Sequence, residues 1–204
     1  MRYEHCEFNE VSLFTKPISD LFKSNTEDAI NELNQIPEKQ LFSINEEEYL
    51  KKLVSDYLID YPSVNFESVT QNSKYSEYGN TIEDKNILCV MFYVEYDGWF
   101  NNFQYRASDF NGFNEPVNLL KKNSYPKKEV VFEIIDTEYN PESVKEKYIA
   151  IKSTFEENYP KILKEIEGYN SKLEETLTPV LKEKIERVNR IKNMDDVLGI
   201  PKRK

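Results

Sequence analysis

The side chains that most often carry catalysis are sparse in this chain. It contains one histidine, His5, which stands beside Cys6 near the N-terminus. A single histidine does not supply the base and the ligands of a hydrolase triad or a zinc centre, and sequence neighbours make an awkward catalytic dyad. Neither GxxxxGK[ST] nor GxGxxG occurs, so no phosphate-binding loop is indicated. We therefore predict no catalytic residue.

Two acidic clusters are the remaining candidates for chemistry. Glu46-Glu47-Glu48 falls at the expected start of a helix, where carboxylates stabilise the positive end of the helix dipole. Glu83-Asp84-Lys85 faintly resembles the residues that hold a metal in nucleases, but its polar surroundings are typical of a solvated loop. Hard cations need several converging oxygens, which neither spacing ensures. We predict no metal site and no bound cofactor.

Composition limits the partners and the compartment. The 204 residues include 27 Lys and Arg against 37 Asp and Glu, and this net charge of −10 disfavours binding to nucleic-acid backbones. The two cysteines, Cys6 and Cys89, are far apart and suggest neither a disulfide framework nor a zinc knuckle. The N-terminus lacks a signal-peptide pattern, and the longest apolar run, 87–94, is too short to cross a bilayer. A cytoplasmic protein without a membrane partner is expected.

An aromatic segment from residue 87 to 110 is the most distinctive local pattern. Ile87 to Val94 is continuously apolar, as in a strand covered on both faces, and Asp97-Gly98 is a strong signal for a two-residue hairpin. Trp99 to Arg106 would then be the partner strand. Aromatic and arginine side chains dominate binding hot spots, so the segment could form an exposed recognition tip. Its candidate partner-binding residues are Trp99, Tyr105, Arg106 and Ser108. In the alternative interpretation the aromatic side chains, Trp99 included, fill the core and Arg106 pairs with an acid.

Two helices are expected before this segment. The first carries the capping box Ser24-x-x-Glu27 and ends at Pro37. The second begins near Ser43 or Asn45, and Pro62 terminates it. Its apolar stripe consists of Leu50, Leu53, Val54, Tyr57 and Leu58.

The predicted strands are short and separated by loops. Apolar and β-branched residues suggest strands at 11–14, 64–69 and 129–135. Polar composition predicts a loop at 71–86, and Asn111-Gly112 with two prolines predicts a long irregular connection over 107–127.

A long helical arm is expected from Pro141 to about Ile191. Apolar residues recur there at spacings of three and four. Pro160 should interrupt the arm, and Thr178-Pro179 has the N-cap and N1 pattern of a new helix. The arm is thus predicted to be a helical hairpin or bundle. Basic residues near its end are candidate partner-binding residues, namely Arg187, Arg190, Lys202 and Arg203.

Together these elements predict an α+β protein. Its domains would be an α+β part, 1–139, with a small, mostly antiparallel sheet and flanking helices, and a helical arm with a basic tail, 140–204.

Two stretches of the chain share a pattern with a known family. The first joins the aromatic segment to the strand that follows it, and the second runs from the arm to the C-terminal residues. The matching residues are Tyr96, Gly98, Phe103, Tyr105, Arg106, Ser108, Glu129 to Phe132, Asn170, Leu173, Arg187 and Leu198 to Arg203.

Over residues 87–204 this pattern resembles an accessory domain of uncharacterised bacterial proteins associated with anti-phage defence. In that family the domain usually precedes a restriction-endonuclease-like nuclease or a Toll/interleukin-receptor (TIR) effector domain. Ala107 stands where the family commonly has proline, and Pro160 stands where an unbroken helix is expected. The resemblance implies a non-catalytic sensing, scaffolding or oligomerising role. Because the chain stops at Lys204, we expect the effector to be encoded separately.

Four functions remain open at this point. The leading hypothesis is a non-catalytic interaction, sensing or oligomerisation component of a bacterial anti-phage defence system. It would act as a homo-oligomer or with a separately encoded effector. One alternative is a receptor for a small ligand or nucleotide signal, built around the aromatic segment and the 107–127 connection. The others are a phage-encoded decoy that inhibits a defence complex, and a nuclease or hydrolase that uses scattered carboxylates.

Overall fold

The computed structural model describes residues 10–76, 87–110, 113, 116–124, 127–136 and 140–198. Within them, strands and helices follow one another in the order of an α+β protein, which confirms the predicted fold class. The helices are α1 (Ile18–Gln35), α2 (Glu38–Leu41), α3 (Glu46–Asp56) and α4 (Pro141–Leu198), with a 3-10 helix at Phe100–Gln104. The strands are β1 (Glu10–Ser12), β2 (Lys16–Pro17), β3 (Ser63–Ser76), β4 (Ile87–Asp97), β5 (Tyr105–Arg106), β6 (Asn118–Ser124) and β7 (Lys127–Asp136).

Five of these strands form one antiparallel sheet in the order β1-β6-β7-β4-β3. β4 and β7 pair without a register shift, and Phe92 lies opposite Phe132. β3 pairs with the other side of β4, with a shift in register between Asn65 and Thr70. β2 and β5 form a separate short parallel pair. The predicted strands at 11–14, 64–69 and 129–135 correspond to β1, β3 and β7.

Alternation along β4 places one set of its side chains in the core. Val90, Phe92 and Val94 are buried. The Phe92 ring stacks on Tyr148 of α4, with ring centroids 4.7 Å apart. Side chains of the opposite set are less enclosed, since Tyr93 is only half-buried. The prediction of a strand covered on both faces holds in part, since Cys89 of the opposite set is also buried, while only one face of an antiparallel sheet must be packed.

The C-terminal helical pattern forms a single helix, α4, rather than the predicted hairpin or series of helices. The helix continues through Pro160 and Pro179. Thr178 is no N-cap, because its hydroxyl donates to the Glu174 carbonyl at 2.7 Å, as threonine does within a helix. Each proline removes one backbone hydrogen bond, and burial of the stripe on both sides of it, including Phe155 and Ile162, offsets that cost.

The apolar stripe of α4 forms a bundle with helices from the N-terminal part of the chain. Its later residues share one buried core with α1 and α3. The stripe therefore packs on earlier elements and not on a later part of the arm. The core includes Ala29, Leu33, Leu50, Leu53, Leu173, Leu177, Leu181 and Val188.

Asp97-Gly98 does not form the predicted hairpin. Gly98 has a φ of 102°, and a Cβ there would lie 2.9 Å from the Pro62 Cα, so the turn does require glycine. The chain then enters the 3-10 helix instead of returning beside β4, because β3 and β7 already pair with both sides of that strand. Phe100 and Phe103 are buried, which anchors the 3-10 helix to the core.

The second predicted helix is confirmed, although it ends earlier than expected. Asn45 is the N-cap of α3, and its side chain accepts a hydrogen bond from the Glu48 N–H at 3.4 Å. The helix ends at Asp56, before Pro62. Leu58 consequently lies outside the helix and is 50% exposed.

Three other local predictions are wrong. Ser24 and Glu27 lie inside α1, so they form no capping box. Residues 71–76 belong to β3, and residues 118–124 form β6 within the predicted irregular connection. Both strands are rich in polar residues, and their pairing depends on backbone hydrogen bonds that composition does not reveal. His5, Cys6 and Glu83-Asp84-Lys85 lie outside the described residues.

The chain divides into two compact units. The sheet unit comprises Met1–Ile18 and Asp60–Glu165, and the helical unit comprises Ser19–Ile59 and Ile166–Lys204. This division differs from the predicted one at 139/140. The first part of α4 belongs to the sheet unit because its apolar side chains, such as Val144 and Phe155, are buried there.

Candidate functional site

Residues 107–109, which follow β5, are held to one face of α4. The Ala107 N–H donates to Asn158 Oδ1 at 3.1 Å. Asp109 Oδ2 lies 3.5 Å from Lys161 Nζ. Both helix residues lie on the same face because residues three apart are neighbours on a helix.

Ser108 makes the closest contacts of this segment. Its N–H and its hydroxyl donate to the two carboxylate oxygens of Glu165, at 2.7 and 2.6 Å. The carboxylate therefore fixes both the backbone and the side chain of Ser108. An activated serine nucleophile requires a base that a third group orients, and this pair by itself does not provide one. We call the contacts of 107–109 with Asn158, Lys161 and Glu165 the loop clamp.

The two residues before the loop clamp also make internal contacts. Arg106 Nη1 donates to the Phe110 carbonyl. The Tyr105 carbonyl accepts from the Tyr61 hydroxyl at 2.9 Å, and burial raises the pKa of Tyr61 well above its usual range. The structure thus brings together three candidate partner-binding residues, Tyr105, Arg106 and Ser108, where they hold the local fold. The expected partner of Arg106 was an acid, whereas the observed one is a backbone carbonyl.

Trp99 has a different environment from the other candidates. Its side chain is 74% exposed, whereas the following Phe100 is buried. Asp97 and Lys128 form an exposed ion pair next to this turn, with a separation of 3.0 Å. Hydrogen bonding from Lys128 lowers the pKa of Asp97. The core-filling interpretation is therefore wrong for Trp99.

The C-terminal end of α4 exposes several apolar side chains. The buried stripe of the helix ends at Val188, which is 4% exposed. The same periodicity continues beyond it into side chains that are 39% to 86% exposed. We call these residues the α4-end patch, which consists of Ile191, Met194, Val197 and Leu198.

The predicted basic residues lie around this end of the helix. Arg190 is exposed and pairs with Glu186 at 3.1 Å, one turn earlier. Arg187 is exposed and lines a cleft of about 360 Å³ together with Glu38 and Lys184. Lys202 and Arg203 lie outside the described residues.

Lys184 is a polar anchor that sequence reasoning missed. Its Nζ donates to the carbonyls of Leu33, Asn34 and Ile36 at 2.6, 2.8 and 2.9 Å. These carbonyls lie at the C-terminal end of α1, which has no basic residue in its last turn. The ammonium group therefore caps α1 from a distant part of the chain, and burial lowers the pKa of Lys184.

Asn158 and Glu165 were also missed, and Asn170 entered the sequence analysis only as part of the family resemblance. The Ile59 N–H donates to Asn170 Oδ1, and Asn170 Nδ2 donates to the Ile59 carbonyl, both at 3.0 Å. The side chain thus pairs with the Ile59 backbone as a neighbouring strand residue would. Asn158 is fully buried. The only signal in the sequence was the presence of polar residues at or beside the apolar stripe of the arm, where a buried position demands a hydrogen-bond partner.

The described residues indicate no metal centre and no transmembrane helix. Among them, no group of three or more His, Cys, Asp or Glu side chains could hold a metal ion. No helix in the described part of the chain has an apolar stretch long enough to cross a membrane.

Comparison with known proteins identifies no relative. No family model matches the chain, and no curated protein or solved structure matches it either.

Proposed function

We propose that this protein is a non-catalytic interaction component that self-associates through the α4-end patch. The observation that carries the proposal is the continuation of a buried helical stripe into exposed side chains. Val188 is buried, whereas Met194 and Leu198 on the following turns are 64% and 58% exposed. A surface helix normally buries such a stripe, and a second copy of the same helix offers a complementary apolar face.

The charged residues beside the patch suit an antiparallel pairing of two copies. Positively charged residues at 187, 190 and 192 lie around the start of the patch, and acidic residues at 195 and 196 lie in its second half. In an antiparallel pair the basic part of one helix lies along the acidic part of the other. Opposite charges at such flanking positions select the orientation of paired helices.

The biological setting that we propose is a cytoplasmic bacterial anti-phage defence system with a separately encoded effector. Support comes from the resemblance of residues 87–204 to a defence-associated accessory domain. Several residues of that pattern have defined structural roles: Ser108 is held by Glu165, Asn170 holds Ile59, and Leu173 is buried. Genome neighbourhood tests this setting, since a nuclease or TIR gene next to this one is expected.

Self-association is tested by size-exclusion chromatography with light scattering at tens of micromolar protein. The chain has a mass of 24.2 kDa, and a species of twice that mass is expected. The double variant Met194→Lys, Leu198→Lys should elute as a monomer because two ammonium groups would replace the apolar contact.

The matched control is Ile149→Lys. Ile149 is also an exposed apolar residue of α4, at 49%, but lies far from the patch along the helix. This variant should keep the mass of the parent protein. A monomeric parent protein, or a double variant that still associates, would rule out the proposed interface.

A further inference from the structure

A groove lies over one face of the sheet unit, between the edge strand β3 and the start of α4. Its volume is about 400 Å³, within the range of roughly 300–1,000 Å³ that is typical of ligand sites. The floor is apolar and aromatic, and Phe92 and Tyr148 stack there with ring centroids 4.7 Å apart. We call it the edge groove, and its lining residues are Gln71, Ser73, Val90, Phe92, Pro141, Val144, Lys145 and Tyr148.

β3 is a long strand at the end of the sheet. It pairs with β4 on one side, and no described strand pairs with its other side. A strand in this position directs backbone N–H and C=O groups outward, which makes it a template for an added strand. Gln71 and Ser73 are exposed and line the edge groove, so the groove lies directly beside this edge.

The placement of the edge groove matches the requirements of strand addition. Side chains of an added strand would point alternately to the two faces of the sheet, every second one toward α4. On that face they would meet the apolar surface made by Val144 and Tyr148. In this mode of recognition the backbone hydrogen bonds provide affinity, and pockets for alternate side chains provide specificity.

The charge of Lys145 favours an acidic group on the ligand. Lys145 is exposed, and among the described residues that line the edge groove it is the one that carries a charge. Its ammonium group places one positive charge at the groove, within a chain whose net charge is −10. A carboxylate on the ligand complements the Lys145 ammonium group at short range, whereas the net charge of the chain disfavours a ligand that carries many acidic residues.

We propose that the edge groove binds an extended peptide segment of another protein, which adds to β3 as a strand. The segment places a large apolar side chain against Val144 and Tyr148 and an acidic side chain beside Lys145. This site is independent of the α4-end patch, because all of its residues belong to the sheet unit.

The probe is a library of random peptides displayed on phage, selected against the immobilised full chain. Selection is repeated with the Met194→Lys, Leu198→Lys variant, so that a failure of self-association does not affect the result. The enriched sequences should share an aromatic or large aliphatic residue with an Asp or Glu close by. No enrichment above background, or enrichment of sequences without that pattern, would overturn the proposal.

Binding of a fluorescein-labelled selected peptide is then measured by anisotropy. Lys145→Glu should raise its dissociation constant about ten-fold, since a like charge replaces an opposite one. Lys164→Glu, at another exposed lysine of α4, should leave it unchanged. N-methylation of alternate peptide nitrogens should abolish binding, because half of the amide groups would pair with β3.

Three results would contradict the proposal at this stage. One is equal affinity for the Lys145→Glu and Lys164→Glu variants. Another is binding that tolerates N-methylation at every position, which would indicate a ligand held by side chains alone. The third is enrichment of sequences that match a strand of this chain, which would identify the occupant as a second copy.

Discussion

At the scale of single residues, buried polar side chains position the loop that follows β5. Asn158 is fully buried, and its Oδ1 accepts from the Ala107 N–H while its Nδ2 has no hydrogen-bond partner among the described residues. The contact satisfies a buried backbone donor, and the desolvation of the two unpaired hydrogens of the Asn158 amide group offsets part of that gain. At the surface, the Glu165 carboxylate accepts a hydrogen bond from the Ser108 N–H.

Removal of the Glu165 carboxylate should destabilise the protein measurably. Glu165→Ala takes away the acceptor of both the Ser108 N–H and its hydroxyl, and we expect a loss of about 1 kcal/mol because water replaces part of the interaction. Urea denaturation followed by circular dichroism measures the change. Glu175→Ala, at an exposed glutamate of the same helix, is the control and should have a smaller effect. Equal effects of the two substitutions would show that the Glu165 contacts of the loop clamp add no stability.

Tyr57 should make stability depend on pH in the alkaline range. The pKa of Tyr57 is raised from 10.0 to about 12. Burial is the largest cause, and a hydrogen bond to Glu32 at 3.0 Å is the second. Because the folded pKa exceeds the unfolded one, this contribution is complete below pH of about 10 and is lost as the pH rises towards about 12.

Tyr57→Phe isolates this contribution. The difference in unfolding free energy between the parent protein and the variant should fall as the pH rises through that window. Urea titrations in a series of alkaline buffers measure it, and the other tyrosines cancel because both proteins contain them. A difference that is independent of pH would mean that Tyr57 has the same pKa in the folded and unfolded chain.

At the scale of elements, α4 shows tertiary packing overriding a local stop signal. Its interior contains Pro160, Gly168 and Pro179, each unfavourable in a helix. Packing of buried residues on both sides, such as Ile162 and Leu173, holds these positions in helical conformation. The helix therefore contains sites at which its stability can be improved.

Gly168→Ala should stabilise the protein. A Cβ at this position meets nothing within 4 Å, so the methyl group fits without strain. Alanine restricts the unfolded chain and favours the helix, and we expect a gain of about 0.5–1 kcal/mol. Thermal and urea denaturation measure it, with the neighbouring exposed Glu167→Ala as the control for surface effects. A loss of stability would indicate that residue 168 is not helical in solution.

At the scale of the whole molecule, the exposed apolar and charged surfaces are the features that point to function. The α4-end patch belongs to the helical unit and the edge groove to the sheet unit. A chain with a net charge of −10 repels its own copies at long range, so association requires local apolar contact or local opposite charge. Both surfaces meet that requirement.

Self-association should couple to thermal stability. Folded copies can form the dimer, whereas unfolded copies cannot. The apparent Tm of the parent protein should therefore rise as its concentration increases. The Tm of the Met194→Lys, Leu198→Lys variant should not depend on concentration. Differential scanning fluorimetry over a hundred-fold range of concentration measures both. Parallel behaviour of the two proteins would argue against the α4-end patch as the interface.

Periodicity and capping were enough to predict the fold class, helix α3 with its Asn45 cap, strand β7 and the extent of the C-terminal helical pattern. These features depend on interactions within a few residues of each other, which a sequence displays directly. The requirement for glycine at position 98 was also visible, although the hairpin inferred from it was wrong.

Only the tertiary structure decided what these elements pack against. β3 and β7 pair with the two sides of β4, so Trp99 to Arg106 could not form a partner strand. In α4, packing of the buried stripe keeps the chain helical at both prolines. The hydrogen bond between Ser108 and Glu165 joins residues that are 57 positions apart in the sequence. The bond from Lys184 to Asn34, at the end of α1, joins residues that are 150 positions apart. Which segments are buried and which strands pair depends on how all elements of the chain pack at once. A local sequence pattern contains no information on these long-range contacts.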